Sequence, residues 1–171
     1  MPSQPAPGDP LSYPAHAFPN VAIDVFTAHQ WELLVRLPGR VIVGATQAAT
    51  RAAARAGGPG RNVRDGLAGL EAMAAGRAFD SDLVRAVVAA VYAERLPNAS
   101  TRPRRDLLDE CRDALRILDD RADPADSAAY RQWLQSIAAR VCTGGRGPAV
   151  GQLGPGDRRF LADLGHALGM V

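Results

Sequence analysis

The segment Leu34–Ala45, LVRLPGRVIVGA, admits two folds. Its tail, RVIVGA, has the β-branched content of a short buried strand, and the LPG before it has the composition of a turn. As a helix it places Pro38 and Gly39 in the interior. There proline removes an amide donor and crowds the preceding turn, and glycine costs about 1 kcal/mol of propensity. A second line of the chain, about one hundred residues later, decides between the two. Glu32–Gly44 (ELLVRLPGRVIVG) can be laid without gaps over Gln132–Gly144 (QWLQSIAARVCTG). Leu34 then meets Leu134, Leu37 meets Ile137, Arg40 meets Arg140, Val41 meets Val141 and Gly44 meets Gly144, with Pro38 and Gly39 opposite Ala138 and Ala139. The second copy is an amphipathic helix by its three-and-four spacing. The first is therefore expected to be a helix as well, kinked at Pro38.

The other segments follow the same period. VRDGLAGLEAMAAG puts Val63, Leu67, Leu70 and Met73 or Ala74 on one face and ends at Gly76, which reads as the left-handed residue after a helix. In FDSDLVRAVVAAVYAERLP, Asp80 is the expected N-cap, with Phe79 and Val84 as a staple across it. Leu83, Val84, Val87, Val88, Val91 and Tyr92 leave this segment so little polar surface that it is expected to be the central helix. DLLDECRDALRILDDRA places Leu107, Leu108, Cys111, Leu115 and Leu118 on a stripe opposite its Asp, Glu and Arg residues. The next helix starts with Asp123 as N-cap, Pro124 at the first helical position and Asp126 at the third, and its stripe runs through Tyr130, Trp133 or Leu134, Ile137 and Val141. The last offers Phe160, Leu161, Leu164 and Leu168. No strand-period segment emerges, so the expected fold is an all-α bundle of six to seven helices. It forms one domain over 21–171, with halves 21–97 and 103–171 related by a pseudo-two-fold axis. Residues 1–20 hold six prolines and read as an extended arm, flexible or laid along the domain surface, in which Tyr13 and Phe18 either pin it to the body or mark a docking peptide for a partner.

Composition narrows the function. All 20 basic residues are arginine, and the formal net charge is only +2. Arginine alternates with Asp and Glu, which argues against a nucleic-acid binder with a concentrated basic face. The longest apolar run, LVRAVVAAVYA, is interrupted by Arg85 and is too short to span a bilayer, so no transmembrane segment is expected. The N-terminus lacks the basic start and apolar core of a signal peptide. Cys111 and Cys142 fall inside helical patterns and read as buried thiols in a reducing cytoplasm.

A long helix, a glycine-bearing loop and a short helix occur in both halves, the short helix of the second ending in ALG. The second instance, Tyr130–Met170, is the clearer. GLAGLEAMAAG in the first half answers FLADLGHALGM in the second, pairing Leu67, Ala68 and Leu70 with Leu161, Ala162 and Leu164. This arrangement resembles the TerB-like domains associated with tellurite resistance, over most of residues 28–171. The resemblance implies a non-catalytic cytoplasmic module that acts through contacts with a protein partner, in stress response. The acidic positions of that family fall here on Thr143, Gly144, Gly145 and Asp157, and on Thr46 and Gln47 in the first copy. A hard cation needs several converging oxygens, so no bound metal or other cofactor is implied.

Other constellations point to weaker chemistry. Asp119, Asp120, Asp123 and Asp126 crowd one helix junction and, with Asp157, are the candidate cation patch; helix capping accounts for Asp123 and Asp126 as well. Arg51, Arg55, Arg61 and Arg64 flank GGPG and are the candidate anion patch, although a P-loop is excluded by the lack of a lysine and of a preceding strand. A sensor of divalent cations or anions is accordingly the alternative function, followed by a small enzyme with an interhelical pocket. His29, Cys111, Cys142 and His166 lack zinc-ligand spacing. Ser100, Ser127 and Ser136 have no histidine at a motif distance, and Cys142 sits on an apolar stripe, so no catalytic residue is assigned.

Overall fold

A computed structural model describes residues 24–55, 63–93, 106–144 and 153–170, apart from the side chains of residues 49, 52–55 and 63–64. Among the described residues the chain is helical throughout, without a strand. Its helices are α1 (Ala28–Arg55), α2 (Val63–Ala75), α3 (Asp82–Ala93), α4 (Leu107–Arg121), α5 (Pro124–Thr143) and α6 (Pro155–Ala167), with a short 3₁₀ turn, Gly76–Ala78, after α2. The proline-rich arm lies outside the described residues.

The ambiguous segment is helical, and its start is strongly encoded. Thr27 is the N-cap of α1: its Oγ1 accepts from the Gln30 amide, and the Gln30 side chain accepts from the Thr27 amide at 2.9 Å. Two orphan amides are thus met reciprocally. Phe26 on the near side of the cap stacks on Trp31 in the first turn, ring centres 6.3 Å apart, which closes a hydrophobic staple. Pro38 lies inside α1. A proline there has no amide hydrogen for the carbonyl four residues back, that of Leu34. The hydroxyl of Tyr130, reaching across from α5, donates to this carbonyl at 2.7 Å.

The centre of the bundle is α5, not α3. Helix α5 meets each of the other five helices, and Tyr130, Trp133, Leu134, Ile137, Ala138, Val141 and Cys142 are closed to solvent. Helix α3 buries Leu83, Val84, Val87 and Val88 but leaves Tyr92 half exposed, its ring under the Arg77 guanidinium. Hydrophobicity measured on one helix misses this, because what makes a helix central is neighbours on all sides, and α5 is polar only at its ends and along one narrow line. The cap of α3 also differs from the expected Asp80: Ser81 Oγ accepts from the Val84 amide and donates to Asp126 at 2.6 Å. Asp126 at the start of α5 is thereby tied to the start of α3, while Asp123 caps α5 as the sequence implies.

Helices α1 and α5 bury matching positions. Leu33, Leu34, Leu37, Pro38, Val41 and Ile42 face inward on α1, as Trp133, Leu134, Ile137, Ala138, Val141 and Cys142 do on α5. Helix α2 departs from expectation. Its leucines point outward, Leu67 at 53% and Leu70 at 47% exposure, whereas Asp65, Ala68, Gly69, Ala72, Met73 and then Gly76 are buried. The cause is close approach. A Cβ on Gly69 would stand 2.7 Å from Val141 Cγ2 and 2.9 Å from Ile42 Cγ1, so α2 is pressed between α1 and α5 on its smallest residues. Gly76 serves the same end: it does not adopt a positive φ, and a Cβ on it would stand 2.6 Å from the Trp133 ring and 2.8 Å from Val88. Trp133 in turn donates from its indole to the Ala72 carbonyl at 3.3 Å. Among the described residues the left-handed glycines are Gly144 after α5 and Gly169 after α6. At Gly169 the amides of Gly169 and Met170 close back on His166 and Gly165, the paired bonds of a Schellman end.

Candidate functional site

Residues four, three and four apart on a helix share a face, and on α1 this aligns Arg40, Gly44, Gln47 and Arg51. Across from them stand the first turn of α4, with Asp106, Leu107 and Leu108, and the α6 residues Phe160 and Asp163. Together with Val43 they line a groove of about 400 Å³, within the size range of small-ligand sites. Gly44 makes the floor. A Cβ there would overlap the tip of the Leu107 side chain and touch Phe160 at an ordinary 3.5 Å, so glycine leaves the Leu107 methyl its place against α1. The groove carries both signs of charge over apolar ground. Asp106 is committed as the N-cap of α4, accepting from the Leu108 amide, and Arg40 is committed to Glu110.

Glu110 is the residue that sequence reading placed on the wrong side. It sits on α4 among charged neighbours but is buried, its side chain 7% exposed. Its two oxygens accept separately from Arg36 Nη2 at 3.1 Å and Arg40 Nε at 3.0 Å, one turn apart on α1. The signal was present in the sequence: Arg36 and Arg40 are framed by Leu33, Leu34, Leu37 and Val41, and arginines set into an apolar stripe call for a carboxylate. Just behind, Cys111 is closed to solvent, and burial, reinforced by the Glu110 charge, pushes its thiol up to about 12. It is an inert core sulfur. Cys142 is equally buried, and neither cysteine is in a disulfide.

Asp119 and Asp120 are exposed at the end of α4, Asp120 beside Arg121; Asp123 caps α5; Asp126 accepts from Ser81. Asp157 is buried in the first turn of α6, where it accepts from the Gly154 amide. Among the described residues no three His, Cys, Asp or Glu side chains come together as a metal-sized group, and this includes His29, Cys111, Cys142 and His166. Of the arginine patch, Arg51 lines the groove with its Nε donating to the Gln47 carbonyl. Arg61 and the side chains of Arg55 and Arg64 lie outside the described residues. Ser136 donates to the Trp133 carbonyl, Ser127 is buried, and Ser100 lies outside the described residues. No described helix is long and apolar enough to cross a membrane. Compared with family models, with curated proteins and with solved structures, the chain matches none of them.

Proposed function

We propose that this chain is a non-catalytic helical module of the TerB-like type that works by binding another protein, in stress response and in the cytoplasm. The observation that carries the reading is the outward pair Leu67 and Leu70 on α2. A helix that packs on glycine and alanine and offers its leucines to solvent has its large apolar residues free for a partner, and such residues anchor protein interfaces better than surface charge does. Likeness between the two halves supports the kinship. The inward positions of α1 and α5 agree, and four buried positions of the α2 and α6 segments coincide when Asp65 stands with Asp157, Ala72 with Leu164, Met73 with Gly165 and Gly76 with Leu168, although exposed Ala75 then falls on buried Ala167. That register replaces the pairing of Leu67 with Leu161, which sets an exposed residue against a half-buried one. A protein partner also suits the charges, since Arg85, Arg112 and Arg116 each pair with an aspartate three residues earlier and offer no continuous basic face. Two buried cysteines outside any disulfide suit a reducing compartment.

The test is capture from the native host with the wild-type chain and with Leu67→Asp/Leu70→Asp, whose fold is checked by circular dichroism. The wild type recovers a stoichiometric protein and the folded variant loses it. A wild-type chain that emerges as a clean monomer with turnover on a small molecule overturns the reading.

A further inference from the structure

We infer that Pro38 and Tyr130 are one device, a cross-helix lock that admits a single register of α1 against α5. In the interior of α1 the carbonyl of Leu34 is the one whose partner four residues on has no N–H, because that partner is Pro38. Leu34 is closed to solvent, so water does not replace the missing donor. Tyr130 supplies it, at 2.7 Å from a helix 96 residues away in sequence. The phenol is held for this purpose: its ring is fully buried and packs edge-on against Trp133, centres 5.9 Å apart. Burial first, and the neighbouring Cys111 second, raises its pKa well above 10, so the hydroxyl keeps the proton it donates.

Sliding α1 by one turn, about 5.4 Å, would present Tyr130 with a carbonyl already bonded to its own helix amide, and would leave that of Leu34 bare in the core. Apolar stripes of leucine and valine tolerate a slip of a turn, whereas a single buried polar pair does not. Proline in α1 is thus a specifying residue rather than a tolerated defect, and its partner is a tyrosine in the other half of the chain.

Four proteins test this: the wild type, Tyr130→Phe, Pro38→Ala and the double variant, each unfolded in urea and followed by fluorescence of Trp31 and Trp133. With Pro38 in place, Tyr130→Phe lowers the folding equilibrium constant roughly ten- to a hundredfold, the range for stranding a buried carbonyl. Beside Pro38→Ala the same change costs at least about fivefold less, because the amide of residue 38 then meets Leu34. Equal losses in the two backgrounds overturn the lock. If Tyr130→Phe alone does not fold, recovery on adding Pro38→Ala supports the inference, and failure to recover, with Pro38→Ala itself folded, overturns it.

Discussion

Removing the Glu110 side chain probes the buried charge cluster joining α1 to α4. In Glu110→Ala, Arg36 and Arg40 lose a carboxylate that accepts from both, at 3.1 and 3.0 Å. A fully buried pair broken in this way costs about 3–5 kcal/mol. Here the arginine side chains keep 25% and 31% of their exposure, so each guanidinium can turn part of the way to water, and Arg36 retains Glu32 at 3.8 Å. Two charge-assisted hydrogen bonds discounted for that escape leave a loss of about 2–3 kcal/mol. For a chain of 171 residues this lowers Tm by roughly 5–10 °C. Glu110→Gln keeps the shape and one acceptor but turns an NH2 toward an arginine, and should recover no more than half. Replacing all three residues with apolar ones of similar volume should restore most of the stability, since the cost of desolvating the charges offsets much of their attraction. The assay is urea unfolding at low and at 1 M salt. A loss below about 0.5 kcal/mol, or one that vanishes in salt, would mean that the bridge is a solvated surface pair and that the burial argument fails.

Two glycines, one within α2 and one just after it, should respond oppositely to alanine. Gly76→Ala drives a methyl into Trp133 and Val88 and should cost about 2 kcal/mol or more, while Gly66→Ala, with nothing within 4 Å, should stabilise by up to about 1 kcal/mol; thermal melts read both, and equal effects would refute the packing account. Stability should also fall in base. The folded thiol of Cys111 titrates at about 12 and the unfolded one near 9.0, so above pH 9 the unfolded chain sheds a proton that the folded chain keeps. Stability intact below that pH is then lost at about 1.4 kcal/mol per pH unit toward 12, with Tyr130 adding a second proton above its ordinary 10.0. Urea midpoints from pH 8 to 11 should show this slope, and Cys111→Ala should flatten it between pH 9 and 10; an unchanged slope in the variant would count against the assignment.

What the sequence made legible was periodicity and punctuation. All six helices follow from three-and-four spacing, and the start at Asp123–Pro124 was readable because a cap is a local transaction between a side chain and amides within one turn, whereas Asp106 and Gly144 emerge as helix ends only in the structure. Thr27 and Gln30 could have been found in the same way, since TAHQ has the reciprocal spacing. The groove was half legible. Arg51 was singled out on α1, but its companions Asp106, Phe160 and Asp163 come from two other helices, and nothing within α1 states which helices will face it.

Helix α2 shows where inference from hydrophobicity breaks. Ranking faces by apolar bulk puts Leu67 and Leu70 inside, because burying leucine gains more transfer energy than burying alanine or glycine. That ranking compares side chains at a fixed distance between helices. Distance is itself a variable: with Gly69 and Ala72 inward, α2 drops close enough for Gly69 to lie against Ile42 and Val141, and for Trp133 to reach the Ala72 carbonyl. The tighter packing of α2 on α1 and α5 along its whole inner face outweighs two leucines left at the surface. The Pro38 segment teaches the same lesson from the polar side. A proline that looks like a helix breaker in its own line becomes compatible with the helix once a hydroxyl from another helix is counted, and that donor, Tyr130, is visible only after α1 and α5 are put side by side.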